Sequence, residues 1–498
     1  MSTALVYHQA TKYAPDTIGG HPGLDWASQP AQTKDYEPSR AVDLAAWLPF
    51  DPNPFTGEAA GPEALVASVG LAALSRLIYA TYGITGIIHG DRPTYLRAAP
   101  SAGGLYPAEL YVVIRDFPTL APGLYGYLPQ RHALIPLWED PTLADHLAQA
   151  CYGSAAVAAA PFSLVVTGIF ERSRWRYQER AYRRINLDTG HLLGNAQLAA
   201  HALGWRSHLT AAFADDALNT LLRVDPAEEG ALAVLAINNP GSLERPAWAA
   251  LPSPVGSSHP TLPLLDALHA AGRCPKERPR LPLLGDATAE ALHLRHGWAT
   301  AEHLESTGQS PLSRDVLSAI ADRRSTRAFS GAPMPREALA RILAAAYAPE
   351  RVGLGPAGHF ALDQLMTFVA VRSVSGLEPG VYYLAPTGLE LRLVRAGCDA
   401  RALAFLGLGQ DLCGLAAAVV LHAADLSAAV QRYGDRVYRL LHLDAGILGQ
   451  RLNLAALAEG QGASGIGGFF DDKVSDMLGI PHDQAVVYLT VLGAPSRV

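Results

Sequence analysis

Three guanidinium groups and two hydroxyls fall within five residues at Arg323-Arg324-Ser325-Thr326-Arg327, directly after an apolar helical run with Val316, Leu317 and Ile320. Charge-assisted donors at that density suit a phosphate monoester, although the same run also fits a solvated helix end. A second candidate is the loop Arg97-Ala98-Ala99-Pro100-Ser101-Ala102-Gly103-Gly104-Leu105-Tyr106-Pro107. Pro100 and the Gly103-Gly104 pair impose a tight, open backbone, whose freed amides suit a planar polar ring or an oxyanion, and Ser101 can donate to a ligand. The plain alternative is a connecting loop. A third run, Gly465-Ile466-Gly467-Gly468-Phe469-Phe470-Asp471, lets backbone approach a ligand closely, but Phe470 breaks the GxGxxG spacing of a dinucleotide loop. His293, His296 and His303 share one helical face. No cysteine or carboxylate completes a ligand set around them, so no metal is expected.

The elements that position these residues come in two copies. Gly123-Leu-Tyr-Gly-Tyr127 matches Gly380-Val-Tyr-Tyr-Leu384, and Arg176-Tyr-Gln-Glu-Arg-Ala-Tyr182 matches Arg432-Tyr-Gly-Asp-Arg-Val-Tyr438. Leu187-Asp-Thr-Gly190 matches Leu443-Asp-Ala-Gly446, and Phe213-Ala-Asp-Asp216 matches Phe469-Phe-Asp-Asp472. A period that long is a duplicated domain, not a solenoid. Nine of the 36 prolines lie between Pro240 and Pro282, which marks 240–300 as a linker or wrapping segment between halves at 1–250 and 300–498. Each half reads as helices, a strand (109–114; 366–371), a hairpin-like pair (123–135; 380–394), a strand (162–168; 417–422), a long helix (176–204; 432–460) and a last strand (231–237; 485–492). Strands mixed with long helices give an α+β fold, a central mixed or antiparallel sheet flanked by helices in each half.

Composition agrees with a packed enzyme-sized chain. Of the 498 residues 49% are hydrophobic and 17% charged, which excludes global disorder and coiled coil. A net charge of −7 without a Lys/Arg block argues against nucleic acid or an anionic membrane as partner. Cys151, Cys274, Cys398 and Cys413 form no CxxC pair, and the opening residues carry no secretory signal. The uncharged stretch from Tyr152 to Phe170 is broken by Pro161 and reads as a helix end followed by a buried strand, so a cytoplasmic protein is expected.

Together these motifs resemble the flavin-dependent nitroreductase superfamily, and within it the SagB/ThcOx/McbC-type azoline dehydrogenases of peptide maturation. The resemblance rests on the Arg-Arg-Ser-x-Arg run, the Pro-Ser-Ala-Gly loop, the Gly-x-Tyr-x-Tyr hairpin, the helix from Arg432 to Gly446 and the opening Tyr7-His8-Gln9-Ala10-Thr11-Lys12-Tyr13. It implies FMN bound where two subunits meet, here as a fused pseudo-dimer in one chain. It further implies that Arg323, Arg324, Ser325 and Arg327 hold the phosphate and ribityl chain. Pro100, Ser101, Ala102 and Gly103 would line the ring, Gly467 and Gly468 would offer amides to it, Gln410 would add a polar contact, and Arg497 would add charge. The family's Lys-Tyr pair matches Arg432-Tyr433 and Arg176-Tyr177. Arginine stays charged, so a base would be Tyr433 or Tyr177 with its acidity raised by the adjacent arginine.

The two copies have diverged in a complementary way. The N-half has no Arg or Lys between Arg40 and Arg76, where its phosphate run should lie, while the C-half counterpart of the serine loop, Pro356-Ala357-Gly358-His359-Phe360, lacks the serine. One composite site keeps both parts, so one FMN per chain is expected. Three functions fit: oxidation of a peptide-linked azoline with oxygen reoxidising the flavin, NAD(P)H-dependent nitro or quinone reduction, and flavin sequestration without turnover. The expected partner is a small molecule or modified peptide, and further self-association stays open.

Overall fold

The computed structural model describes residues 2–18, 23–37, 40–48, 70–89, 93–239, 250–253, 262–279, 298, 300–305, 308–385 and 389–496. Strands β1 (Val42–Asp43), β4 (Ala108–Ile114), β5 (Gly123–Leu128), β6 (Ala133–Glu139), β7 (Phe162–Ile169), β8 (Arg206–Thr210) and β9 (Glu229–Asn238) form one sheet, ordered β1-β6-β5-β4-β7-β9-β8. Strands β10 (Thr300–His303), β11 (Met366–Val371), β12 (Gly380–Ala385), β13 (Glu390–Ala396), β14 (Ala418–Ala424), β15 (Gly462–Ile466) and β16 (Ala485–Gly493) form the second, ordered β10-β13-β12-β11-β14-β16-β15. Every ladder in both sheets is antiparallel, and the two orders are the same sequence of equivalent strands. The duplicated α+β architecture is thus present strand by strand. A separate hairpin, β2 (Ile84–Ile88) with β3 (Thr94–Arg97), leads into the serine loop.

The central strands β4, β7 and β9 are apolar on both faces because helices cover both faces. The stretch around Pro161 divides as expected into a short helix, Ala155–Ala159, and β7. Among the described residues no helix is long and apolar enough to cross a membrane. β8 and β15 escape the sequence reading because a run such as Gly462-Ala-Ser-Gly-Ile466 has little strand propensity of its own.

The expected helix 176–204 is really two elements. One helix ends at Tyr177, Gln178 turns with φ +48°, and the next helix runs Ala181–Ala202. The C-half repeats the break at Gly434, φ +64°, before its helix Val437–Ala458. These two 22-residue helices are buried almost all round and pack on each other at the molecular centre. They cross at glycine: a Cβ on Gly190 would stand 2.2 Å from the Leu443 carbonyl oxygen, and one on Gly446 2.3 Å from that of Leu187. Only hydrogen fits there, which accounts for the glycine in both copies of the Leu-Asp-x-Gly repeat.

Buried ions tie the halves together in a two-fold pattern. Arg180 and Arg183 reach Asp471 at 2.9 and 2.7 Å, while Arg436 and Arg439 reach Asp215 at 2.6 and 3.1 Å. The opening helix Thr3–Ala10 and the helix Leu264–Ala271 are a further related pair. After the first, Tyr13 N donates to Asp471 Oδ2 (2.9 Å) and Lys12 pairs with Asp472 (2.6 Å). After the second, Cys274 N donates to Asp215 Oδ2 (2.8 Å) and Arg273 pairs with Asp216 (3.3 Å). Over 262–274 the proline-rich segment therefore repeats the start of the chain and is not an irregular spacer.

Candidate functional site

A cleft of about 530 Å³ opens between the halves, within the usual size range of a cofactor site. The N-half supplies Pro100 to Gly104, where Gly103 and Gly104 take φ of +65° and +67° that glycine adopts without strain. Arg176 and Tyr177 enter from the helix end beside the Gln178 break. Arg184, Leu187, Asp188 and His191 follow at helical spacing on one face of Ala181–Ala202. The C-half contributes Ser325, Arg327, Leu408, Gln410, the stretch Ser464 to Gly468 and Tyr488. Residues predicted from two distant halves therefore meet in one cavity.

The arginine run divides by strand alternation. Thr326 N donates to the Ala463 carbonyl (2.9 Å), so the run lies extended beside β15 and residues 325 and 327 share a side. Ser325 and the exposed Arg327 line the cleft; Arg323 and Arg324, expected on the phosphate, do not. Arg323 is buried and donates from Nε to the Ala98 carbonyl (3.0 Å) and from Nη2 to that of Arg97 (3.2 Å), locking the serine loop from the other half. Arg324 turns to the β2–β3 hairpin, donating to the Thr85 carbonyl (2.6 Å). Arg497, like His293 and His296, lies outside the described residues.

Ser101 is engaged by the helix Ala181–Ala202 and by its own loop. Its hydroxyl donates to Asp188 Oδ2 (2.6 Å), the Ala102 amide donates to the same carboxylate (3.1 Å), and the Tyr106 amide donates to Ser101 Oγ (2.9 Å). In the C-half, Asp444 accepts from the Phe360 and Ala361 amides (2.9 and 2.7 Å), with His359 Nδ1 at 3.5 Å. The residue standing in for Ser101 is thus His359, two positions beyond the Ala357 that the constant offset suggests; the serine is absent either way. Of the stretch between Arg40 and Arg76, where the N-half copy of the arginine run was expected, residues 49–69 lie outside the described residues.

The tyrosines are not equivalent. Tyr177 lines the cleft with its hydroxyl against Gly103. Tyr433, also expected to be catalytic, occupies the two-fold-related position, where its carbonyl accepts from Ser253 N and its neighbour Arg432 lies 3.9 Å from Asp363. Burial raises the Tyr177 pKa and outweighs the lowering by Arg184 and Arg176, so the phenol stays protonated near neutral pH, contrary to the expectation of an activated base. Burial also lifts Asp188 to about 7, more than Ser101, the Ala102 amide and Arg184 pull it down. Behind the cleft, Tyr488 OH and Gln450 Oε1 lie 2.8 and 2.9 Å from the two ring nitrogens of His191, and burial holds that imidazole down at about 4.

Asp188, Arg184, His191 and Tyr488 are the polar wall residues of the two long elements behind the cleft that the sequence reading missed, and Leu187, Leu408 and Ser464 were missed with them. Asp188 stood inside a repeat, but its partner Ser101 lies 87 residues away. Because the folded Asp188 holds its proton more tightly than an unfolded one, folding is penalised progressively as pH rises from about 4 to about 7, by a few kcal/mol in all. The buried histidines, His191 among them, act in the opposite direction, so the Asp188 effect is read as a difference: in urea unfolding at pH 5 and pH 8, Asp188→Asn should gain a few kcal/mol relative to wild type at the higher pH.

The nitroreductase family model matches residues 65–237 and again 320–494. A crystal structure from Anabaena variabilis, provisionally named a nitroreductase, superposes with a TM-score of 0.88 at 42% identity over the whole of both chains. A provisionally named nitroreductase of Methanocaldococcus jannaschii is 32% identical over 154 residues, 31% of this chain and 74% of the relative. The microcin B17-processing protein McbC of Escherichia coli is 28% identical over 139 residues, 27% of this chain and 51% of its own length. The chain belongs to the nitroreductase family, as an oxidoreductase carrying two nitroreductase-like domains of the SagB/McbC type fused in tandem.

Proposed function

We propose that the chain is an FMN-dependent oxidoreductase that oxidises a peptide-linked azoline to the azole at one composite site. The observation that carries this reading is the meeting of Ser325 and Arg327 from one half with the Pro100–Gly104 loop and Tyr177 from the other. The fit to a flavin mononucleotide is supported at both ends of the cleft. Arg327, whose guanidinium has no acceptor among the described residues, and the Ser325 hydroxyl suit a phosphate dianion. Roughly 10 Å further along, at about 3.3 Å per residue from Ser464 to Gly467, the backbone of the Gly465–Gly468 stretch lines the cleft, where its amides suit the polar edge of a flat ring.

Aromatising a thiazoline or oxazoline removes a hydride and a proton from the ring. When bound, FMN supplies the two-electron acceptor, which oxygen regenerates. The proton is left to the protein. Asp188, poised near neutrality at the wall, takes it, and the protonated Tyr177 donates a hydrogen bond that orients the substrate. Arg323 acts at a distance, holding the serine loop against the C-half.

Reduction of nitro compounds or quinones by NAD(P)H is the second reading. It is favoured by Arg176, which stands where the resembled dehydrogenases carry lysine. Anaerobic mixing separates the two. A synthetic thiazoline peptide should bleach the visible flavin band while NADPH leaves it, and Tyr177→Phe should slow bleaching by about tenfold, the worth of one hydrogen bond, without loss of flavin. Bleaching by NADPH alone would make the protein a reductase. No bleaching by either, with tight FMN, would make it a flavin-sequestering protein.

A further inference from the structure

Arg184 is a buried arginine without a matching acid. It is 7% exposed, its Nε has no hydrogen-bond partner, and its guanidinium lies on the face of Tyr177, 4.7 Å from the ring centre, and against the Gly467–Gly468 backbone. The neighbouring carboxylates are already engaged. Asp471 is shared by Arg180 and Arg183. Asp188, one turn further along the helix, accepts from Ser101 and Ala102 and makes no ion pair with Arg184 among the described residues. A guanidinium removed from water without a counter-charge is costly, so its retention calls for an anion from outside the fold.

The surroundings are built around this side chain. A Cβ on Gly467 would lie 1.7 Å from Arg184 Nη1, so glycine is required there to admit the guanidinium. The internal duplication supplies the control: at the related positions of the other pseudo-site stand Leu440 and Ala211, where the charge is absent and the Cβ has returned. Arg176 lies against the serine loop, with its Cδ 3.1 Å from where a Gly103 Cβ would be, and its guanidinium 5.8 Å from the Tyr177 ring centre. It too has no acid partner among the described residues. Arg176 and Tyr177 also form the wall shared with a neighbouring groove of about 640 Å³ that Tyr13 and Trp175 help to line, which gives a route by which substrate can reach them.

We infer that Arg184, assisted by Arg176, forms an anion subsite on the substrate side of the cleft, and that the substrate carries a carboxylate beside its reacting ring. The inference rests on the flavin reading above and narrows its substrate class.

The test uses the FMN-loaded full-length protein, with benzoate and its neutral counterpart benzamide as probes, titrated by calorimetry and by perturbation of the visible flavin band. Wild type should bind benzoate at least about tenfold more tightly than benzamide. Arg184→Met should bring the two within about twofold of each other at unchanged FMN affinity, and Arg184→Lys should restore part of the preference. Equal binding of both probes by wild type, or a preference that survives Arg184→Met, overturns the subsite. Loss of FMN from Arg184→Met and Arg184→Lys alike, with the benzoate preference unchanged, assigns the arginine to the cofactor and overturns it as well. A protein that takes up no FMN yet prefers benzoate through Arg184 keeps the subsite and rejects the flavin reading.

Discussion

Replacing Asp471 by alanine is expected to remove about 3–5 kcal/mol of unfolding free energy, read as a lower urea midpoint. The carboxylate stands between Arg180 and Arg183, each with only 2% of its side chain exposed. Burial alone would raise the Asp471 pKa, but the two guanidiniums outweigh it and hold it well below the ordinary range. Removing the carboxylate leaves two buried positive charges with only the His8 and Thr11 oxygens as acceptors. The amide of Tyr13 loses its partner as well. The next residue is the control. Asp472 pairs with Lys12 at 2.6 Å but is 43% exposed, so Asp472→Ala should cost less than about 1 kcal/mol. Because Asp471 begins the helix that follows the Gly465–Gly468 stretch, its loss should also loosen the cleft wall and weaken cofactor binding.

The second large effect concerns the phosphate end. Ser325→Ala combined with Arg327→Ala should weaken FMN binding by about 100-fold, since each charge-assisted hydrogen bond lost is worth about 1.5 kcal/mol and tenfold corresponds to 1.4. Fluorescence titration of the apoprotein measures it. Riboflavin, which lacks the phosphate, should bind wild type and the double variant alike. Arg324→Ala should change FMN affinity less than about twofold, because that guanidinium is turned to Thr85. An effect of Arg324→Ala equal to that of the double variant would restore the whole run to the phosphate.

What the sequence revealed and what it concealed follow from the range of the interactions. The duplication was legible because buried elements repeat residue types: Leu187-Asp188-Thr189-Gly190 and Leu443-Asp444-Ala445-Gly446 hold the helix crossing, and both glycines are demanded by it. The Arg-Ser-Thr-Arg spacing singled out a run of which Ser325 and Arg327 line the cleft, but not the direction of each side chain. That Arg323 faces the Ala98 carbonyl, 225 residues away, depends on tertiary packing. Asp188 was visible as a repeat and silent as a site residue, since its role requires the Ser101 loop to fold against it. The acidity of Tyr177 was misjudged because adjacency to arginine can be read from sequence and burial cannot. The second copy of the opening helix went unrecognised because little beyond His8/His269, Ala10/Ala271 and the basic pair Lys12/Arg273 is kept between the two. Arg184 did leave a trace, in the paired change of Arg184 to Leu440 and Gly467 to Ala211 between the copies.

The asymmetry of the two pseudo-sites is most directly tested by counting cofactor. Purified chain saturated with FMN and freed of excess should carry one flavin per polypeptide by absorbance against protein mass, and Ser325→Ala/Arg327→Ala should retain less after the same treatment. Two flavins per chain would mean that the pocket of Tyr433, Asp444 and His359 still binds, and none would mean that the composite cleft serves another ligand.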